Sequence, residues 1–111
     1  MIDWDRVRNL RDEIGADAFE EVVDLFLEEV QTEIDRLRTP REALDIEGQL
    51  HFLKGSALNL GFIAFSDLCH VGEAAAAAGQ GRRVDLTEIL CCFEQSKAAF
   101  LAGLTAEVMA A

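Results

Sequence analysis

Apolar residues recur along this chain at three- and four-residue spacings, the period of an amphipathic helix rather than a strand. A short first helix starts near Asp3 and is closed by Gly15. Asp17-x-x-Glu20 reads as a capping box opening a long helix, with Phe19, Val22, Val23, Phe26, Val30, Ile34 and Leu37 on one stripe. Its other face carries Asp24, Glu28, Glu29, Glu33 and Asp35 and reads as solvated surface. Thr39-Pro40-Arg41-Glu42 is the next start signal: a threonine cap, proline at the first helical position and a glutamate completing the box. That helix runs to Leu60 and ends at Gly61. A fourth spans about Phe62 to Ala78, with Phe65, Leu68, Cys69 and Ala75 as core positions, until Gly79-Gln80-Gly81 breaks it. Asp85-x-x-Glu88 opens the last helix, which turns Leu86, Ile89, Leu90, Phe93, Phe100, Leu101, Leu104 and Val108 inward.

The pattern carries no strand signal, no internal repeat and no long linker. It predicts an all-α fold: an antiparallel four-helix up-down bundle, its helices about 17 to 24 residues long, with a short additional N-terminal helix capping one end. Residues 1–111 then make one domain, a length that buries a core without staples.

Charge narrows the class of partner. With 21 acidic against 10 basic residues the net charge is −11, which disfavours phosphate backbones and anionic membrane surfaces. Nucleic acid and membrane are therefore not expected partners. Met1 to Asp5 is not the basic start of a signal peptide, and no apolar run approaches the ~18 residues of a span, so the expected location is cytoplasmic. Cys69, Cys91 and Cys92 have neither disulfide-framework nor metal spacing, and read as buried reduced thiols.

The third helix holds the candidate chemistry. Ile46, Leu50, Leu53, Ala57 and Leu60 cluster within roughly 40° of one direction, which is the core side. His51 points about 140° away, outward from mid-helix. Gly48 and Gly55 lie at i−3 and i+4 on the same face, each costing about 1 kcal/mol relative to alanine in a helix interior. Such a face is kept clear for another macromolecule to reach the ring, or the glycines are simply tolerated in a well-packed bundle. Lys54, at i+3, is the only Lys or Arg between Arg41 and Arg82, and its ammonium can reach toward the imidazole. Neutral imidazole is a nucleophile, and an ammonium beside it is the counter-charge for a phosphoryl group once the ring carries one. Mid-helix there are no free N–H groups to bind such a phosphate. Leu44, Phe52 and Leu58 also point away from the core, as a docking patch or as packing against a neighbour helix. Glu47, at i−4, is a candidate to hold the other ring nitrogen, or is an ordinary solvated charge. His70 with Asp67, or His51 with Glu47, offers two ligands at most, too few for a zinc site, so no metal is expected on this chain.

The string His51-Phe52-Leu53-Lys54-Gly55-Ser56-Ala57-Leu58-Asn59-Leu60-Gly61 resembles the signature of histidine-containing phosphotransfer (HPt) domains of two-component phosphorelays. Phe65, Leu68, Cys69 and Glu73 occupy the family's later positions. The resemblance implies His51 as phosphoacceptor, Lys54 as the residue meeting the phosphoryl group, and Gly55 as the small residue admitting the partner. Ser56, Asn59 and Gly61 are implied to shape the helix and its end. It further implies a phosphocarrier rather than an enzyme, taking a phosphoryl group from one receiver aspartate and passing it to another. Response-regulator receiver domains and a hybrid sensor kinase are the implied partners, with Mg²⁺ on the receiver and no cofactor on this chain. The acidic faces favour a monomer, while the outward apolar residues leave a dimer open. Phe52 departs from a small polar position, so partner contacts should differ. Gly72 departs from a leucine, so the fourth helix should pack more loosely. The rival reading is an adaptor or inhibitor that docks a receiver or kinase through the same face without carrying phosphate.

Overall fold

The computed structural model describes residues 1–40 and 44–109. Its helices are α1 (Trp4–Ile14), α2 (Ala16–Arg36), α3 (Ile46–Asn59), α4 (Ile63–Ala77) and α5 (Leu86–Leu104), the last running on into a π-helical turn over Thr105–Met109. Among the described residues the only extended pairing is a single antiparallel bridge between Ile2 and Phe62. The bundle measures 47 × 21 × 20 Å. Helices α2 to α5 lie side by side in antiparallel sequence. Lys97 donates to Gln31 at 3.1 Å and Arg38 to Glu94 at 3.3 Å, so α5 closes the ring against α2.

The apolar stripes meet as the periodicity requires. Phe19, Val23, Val30, Ile34 and Leu37 of the second segment are buried, as are Ile46, Leu50, Leu53, Ala57 and Leu60 of the third. Phe62 packs edge-on to Phe100 at 5.4 Å, Phe65 against Phe93 at 5.5 Å, and Trp4 stacks on Phe100 at 5.8 Å. These tilted and offset pairs add to area burial at the end where α1 lies over the bundle. Leu101 is the exception to the predicted inward set, at 52% exposure. It follows Phe100, and one residue of helix rotates a side chain by about 100°, out of the stripe.

Two helix starts differ from the sequence expectation. Helix α2 begins at Ala16 directly after Gly15 with no side-chain cap, so Asp17 sits inside the first turn, where a carboxylate faces the positive end of the helix dipole, and the capping box does not form. Helix α3 begins not at Pro40 but at Ile46, capped by Asp45, whose carboxylate accepts from the Gly48 N–H at 3.1 Å. Thr39 instead donates its hydroxyl to the Arg36 carbonyl at the end of α2. Arg41 and Glu42 lie outside the described residues. Helix α3 is consequently 14 residues long, and α4, with Phe62 and Ala78 as its flanking caps, is 15, both shorter than predicted. Leu44 then precedes the helix and is half-buried against the core rather than outward on the His51 face. Asp3 and Asp85 cap α1 and α5 as read, each accepting from the N–H three residues on.

The α3–α4 turn is pinned by the N-terminal segment. The Asp3 N–H donates to the Gly61 carbonyl at 2.7 Å, and the Ile63 N–H to Met1 at 3.2 Å. Gly61 has φ +74°, and a Cβ there would lie 2.5 Å from the Asp3 carbonyl oxygen. Gly61→Ala is expected to destabilise the fold by about 1–2 kcal/mol from the backbone conformation alone, with the backbone clash adding to it. The check is the midpoint of urea unfolding followed by circular dichroism.

Candidate functional site

The close approach of α3 and α4 builds the site. Phe65, Ser66, Cys69 and Gly72 form the buried stripe of α4. The Ser66 hydroxyl donates to the Lys54 carbonyl at 3.3 Å, fixing the register of the two helices. A Cβ on Gly72 would lie 2.6 Å from Leu50 Cδ1 and 3.2 Å from Val84 Cγ1. The space expected to be loose where Gly72 replaces a leucine is therefore taken by Leu50 and Val84, and the helices close up there.

His51 stands on the outer side of α3 with 70% of its side chain exposed. Its Nδ1 lies 2.6 Å from Glu73 Oε1, on α4. The second carboxylate oxygen, Oε2, lies 2.7 Å from Lys54 Nζ, as a close ion pair off the angle of an aligned hydrogen bond. One carboxylate thus holds both side chains, and Lys54 reaches Glu73 rather than the imidazole itself. An ionised carboxylate only accepts hydrogen bonds, so Nδ1 carries a proton, and in the neutral ring this is the tautomer whose Nε2 presents its lone pair. Nε2 makes no hydrogen bond among the described residues and projects from the exposed edge of the ring.

Electrostatics follow from this contact. The Lys54 ammonium first, and the His51 N–H second, hold the Glu73 carboxyl below the ordinary glutamate value, against a smaller opposing effect of desolvation. Beneath the site the Cys69 thiol is pushed up to about 12, mainly by burial, with Cys92 and the Glu73 charge adding and Lys54 opposing. Cys69 is a packing group here, not a nucleophile. Cys91, expected to be buried, is exposed, and Cys92 is half-buried.

The other predicted positions separate. Gly55 borders His51 with nothing within 4 Å of where a Cβ would stand. Gly48 is also exposed, but a Cβ there would come within 2.5 Å of the Asp45 carboxylate, so it keeps the helix cap open rather than the face clear. Phe52 and Leu58 are exposed at 41% and 49%. Ser56 is half-buried, and Asn59 accepts from Arg6 at 3.1 Å, tying α1 to the end of α3. Glu47 is exposed and makes no side-chain contact with a ring nitrogen, so the tautomer is set by Glu73 instead. The signal for Glu73 was present in the sequence. It and Asp67 are the only acidic residues from Ile63 to Ala77, and Glu73 lies one turn beyond the buried Cys69. On the supposedly solvated face of α2, Glu33 is largely covered, paired with Arg36 and within 3.5 Å of Gln49 on α3.

The site is a solvent-facing imidazole, oriented by a carboxylate and flanked by an ammonium, on an open surface rather than in an enclosed pocket. Residues 21–106 match the Hpt domain, and the chain belongs to that family. Hpt domains are phosphocarrier modules of two-component systems that interact with response-regulator receiver domains and kinases. Comparisons with curated proteins and with solved structures gave no match. No described helix is long and apolar enough to cross a membrane.

The Glu73 contact fixes a pH dependence. Its folded pKa lies below its unfolded one, so its stabilising contribution is present above the ordinary glutamate value and is lost as pH falls through the folded midpoint. Carbon-13 carboxyl titration is expected to place Glu73 below the ordinary glutamate midpoint, and Lys54→Ala to raise it. The stability gap between wild type and Glu73→Gln should close as acid passes that midpoint.

Proposed function

We propose that this protein is a phosphorelay intermediate. His51 accepts a phosphoryl group from the aspartyl phosphate of one receiver domain and passes it to the aspartate of another. The observation that carries this reading is the bridge His51 Nδ1–Glu73–Lys54 on an exposed face. The Nε2 lone pair attacks phosphorus in line, the N–P bond forms as the acyl P–O bond breaks, and the aspartate leaves as a carboxylate. Nδ1 keeps its proton throughout, and Glu73 balances the positive charge that the phosphorylated ring then carries. Lys54, anchored at the edge of the same carboxylate, is the local cation for the phosphoryl oxygens. Reversal is the same path with a second carboxylate as nucleophile. Such transfers depend on positioning and charge neutralisation, which a rigid helix supplies. Mg²⁺ and the remaining polar groups are contributed by the receiver, bound against Gly55, Phe52 and Leu58. In this reading the chain is a single cytoplasmic carrier module, working as a monomer between a hybrid sensor kinase or receiver and its downstream receiver, and without kinase chemistry of its own.

The test is transfer from a phosphorylated receiver, chosen by profiling the source organism's receiver domains. His51→Gln is expected to abolish phosphoryl acceptance and leave the circular dichroism spectrum unchanged. Lys54→Ala should retain acceptance but lower the transfer rate or the lifetime of phosphohistidine. Glu73→Ala should slow transfer roughly 10- to 100-fold, the scale of a lost orienting contact. Normal acceptance by His51→Gln would overturn the assignment. A wild-type protein that binds receivers yet takes no phosphate would identify a docking adaptor instead.

A further inference from the structure

The seam between α3 and α4 does not end at the His51–Glu73 contact. One turn further along, it opens into a groove of about 850 Å³, lined among others by Glu47, Ala76, Gln80, Arg82 and Arg83. Glu47 is i−4 from His51, and Ala76 is i+3 from Glu73. At a rise of about 1.5 Å per residue, the groove begins roughly 5–6 Å along the axis from the phosphoacceptor. Its nearest lining residues thus lie one helical turn from the His51–Glu73 contact, on the same two helices.

Its basic side is placed by the backbone. Gly79 and Gln80 donate to the carbonyls of Ala76 and Ala75, and Arg83 donates to Gln80, so the 3-10 turn Gly81–Arg83 is held against the end of α4. Arg6, Arg8, Arg36, Arg38 and Lys54 are each tied to carboxylates. Arg82 and Arg83 are exposed and make no ion pair among the described residues. On the opposite wall, Asp45 is engaged in the α3 cap, and Glu47 faces solvent.

A carboxylate carrier that works with a divalent cation must gather further carboxylates, because hard cations of this kind take oxygen ligands. The partner's reacting surface is therefore acidic, and it has to approach a protein of net charge −11. Like charges disfavour that encounter unless local cations offset them. We propose that Arg82 and Arg83 form the electrostatic dock for the acidic rim of the receiver, steering it onto the groove so that its aspartate meets His51. The proposal rests on the phosphorelay reading, and it assigns the arginines to encounter and partner choice, not to the transfer chemistry.

The experiment compares wild type with the double variant Arg82→Glu, Arg83→Glu in two assays. Phosphoramidate, a small phosphodonor, reports on His51 without docking, and both proteins are expected to be phosphorylated equally. Transfer from the phosphorylated receiver that reacts fastest with wild type is expected to fall about 10-fold or more in kcat/KM at low ionic strength. That loss should shrink as salt rises and screens the contact, and Arg82→Lys, Arg83→Lys should retain most of the rate. Equal receiver transfer by the charge-reversed variant at low salt, or a loss that salt does not reduce, overturns the proposal. Failure of wild type in both assays overturns the phosphorelay reading itself, and this proposal with it.

Discussion

The Glu73 carboxylate joins two neighbouring turns of the adjacent helix, taking the His51 N–H on one oxygen and the Lys54 ammonium on the other. Neither side chain could be fixed from α3 alone. His51 is 70% exposed, and a free imidazole on a helix surface samples several rotamers. A lysine stem is more mobile still, and holding it costs side-chain entropy. The bridge restricts both at once and also selects the proton-bearing nitrogen. Its geometry requires α3 and α4 to approach closely, which Gly72 permits by leaving its space to Leu50 and Val84. A packing feature in the interior thus sets the chemistry of an exposed nitrogen.

The sequence made the core legible because burial imposes periodicity. The positions from Ile46 to Leu60 that point inward, and so the outward direction of His51, follow from counting along one helix. What counting could not supply was any relation between helices. Glu47 and Glu73 are both carboxylates within plausible reach of the ring, and one-helix geometry favours Glu47. Only the antiparallel register of α3 and α4, with the Ser66–Lys54 contact, brings Glu73 there. Helix starts failed for another reason. Thr39-Pro40 and Asp17-x-x-Glu20 have the composition of caps, but so does Asp45, and the sequence does not rank competing caps. Leu44 lies off the His51 face as a direct consequence of that six-residue shift, from Pro40 to Ile46, in where the helix begins.

Charge around His51 differs from that over the other described helices. Arg6, Arg8, Arg36 and Arg38 are bound to carboxylates on α1, α2 or α5, which leaves the exposed acidic side chains to set the field elsewhere. Around His51 the carboxylate is already neutralised by Lys54, and the arginine turn lies just beyond it. Two exposed arginines stand there, whereas the outer side of α2 presents Asp24, Glu28 and Glu29. Exposed pairs contribute little to stability, so this arrangement bears on encounter more than on folding.

The two glycines beside His51 have different physical causes, although the sequence presents them alike. Gly48 lies against the Asp45 carboxylate, and any side chain there would disturb the cap that starts α3. Folding alone explains it. Gly55 meets nothing within 4 Å, so alanine would fit and would favour the helix by about 1 kcal/mol. Among the described residues no contact accounts for its lack of a side chain. The space above it is open to solvent and borders the exposed edge of the His51 ring, so on the proposed phosphorelay reading what limits side-chain size at Gly55 lies outside the bundle, in the receiver surface that has to reach Nε2.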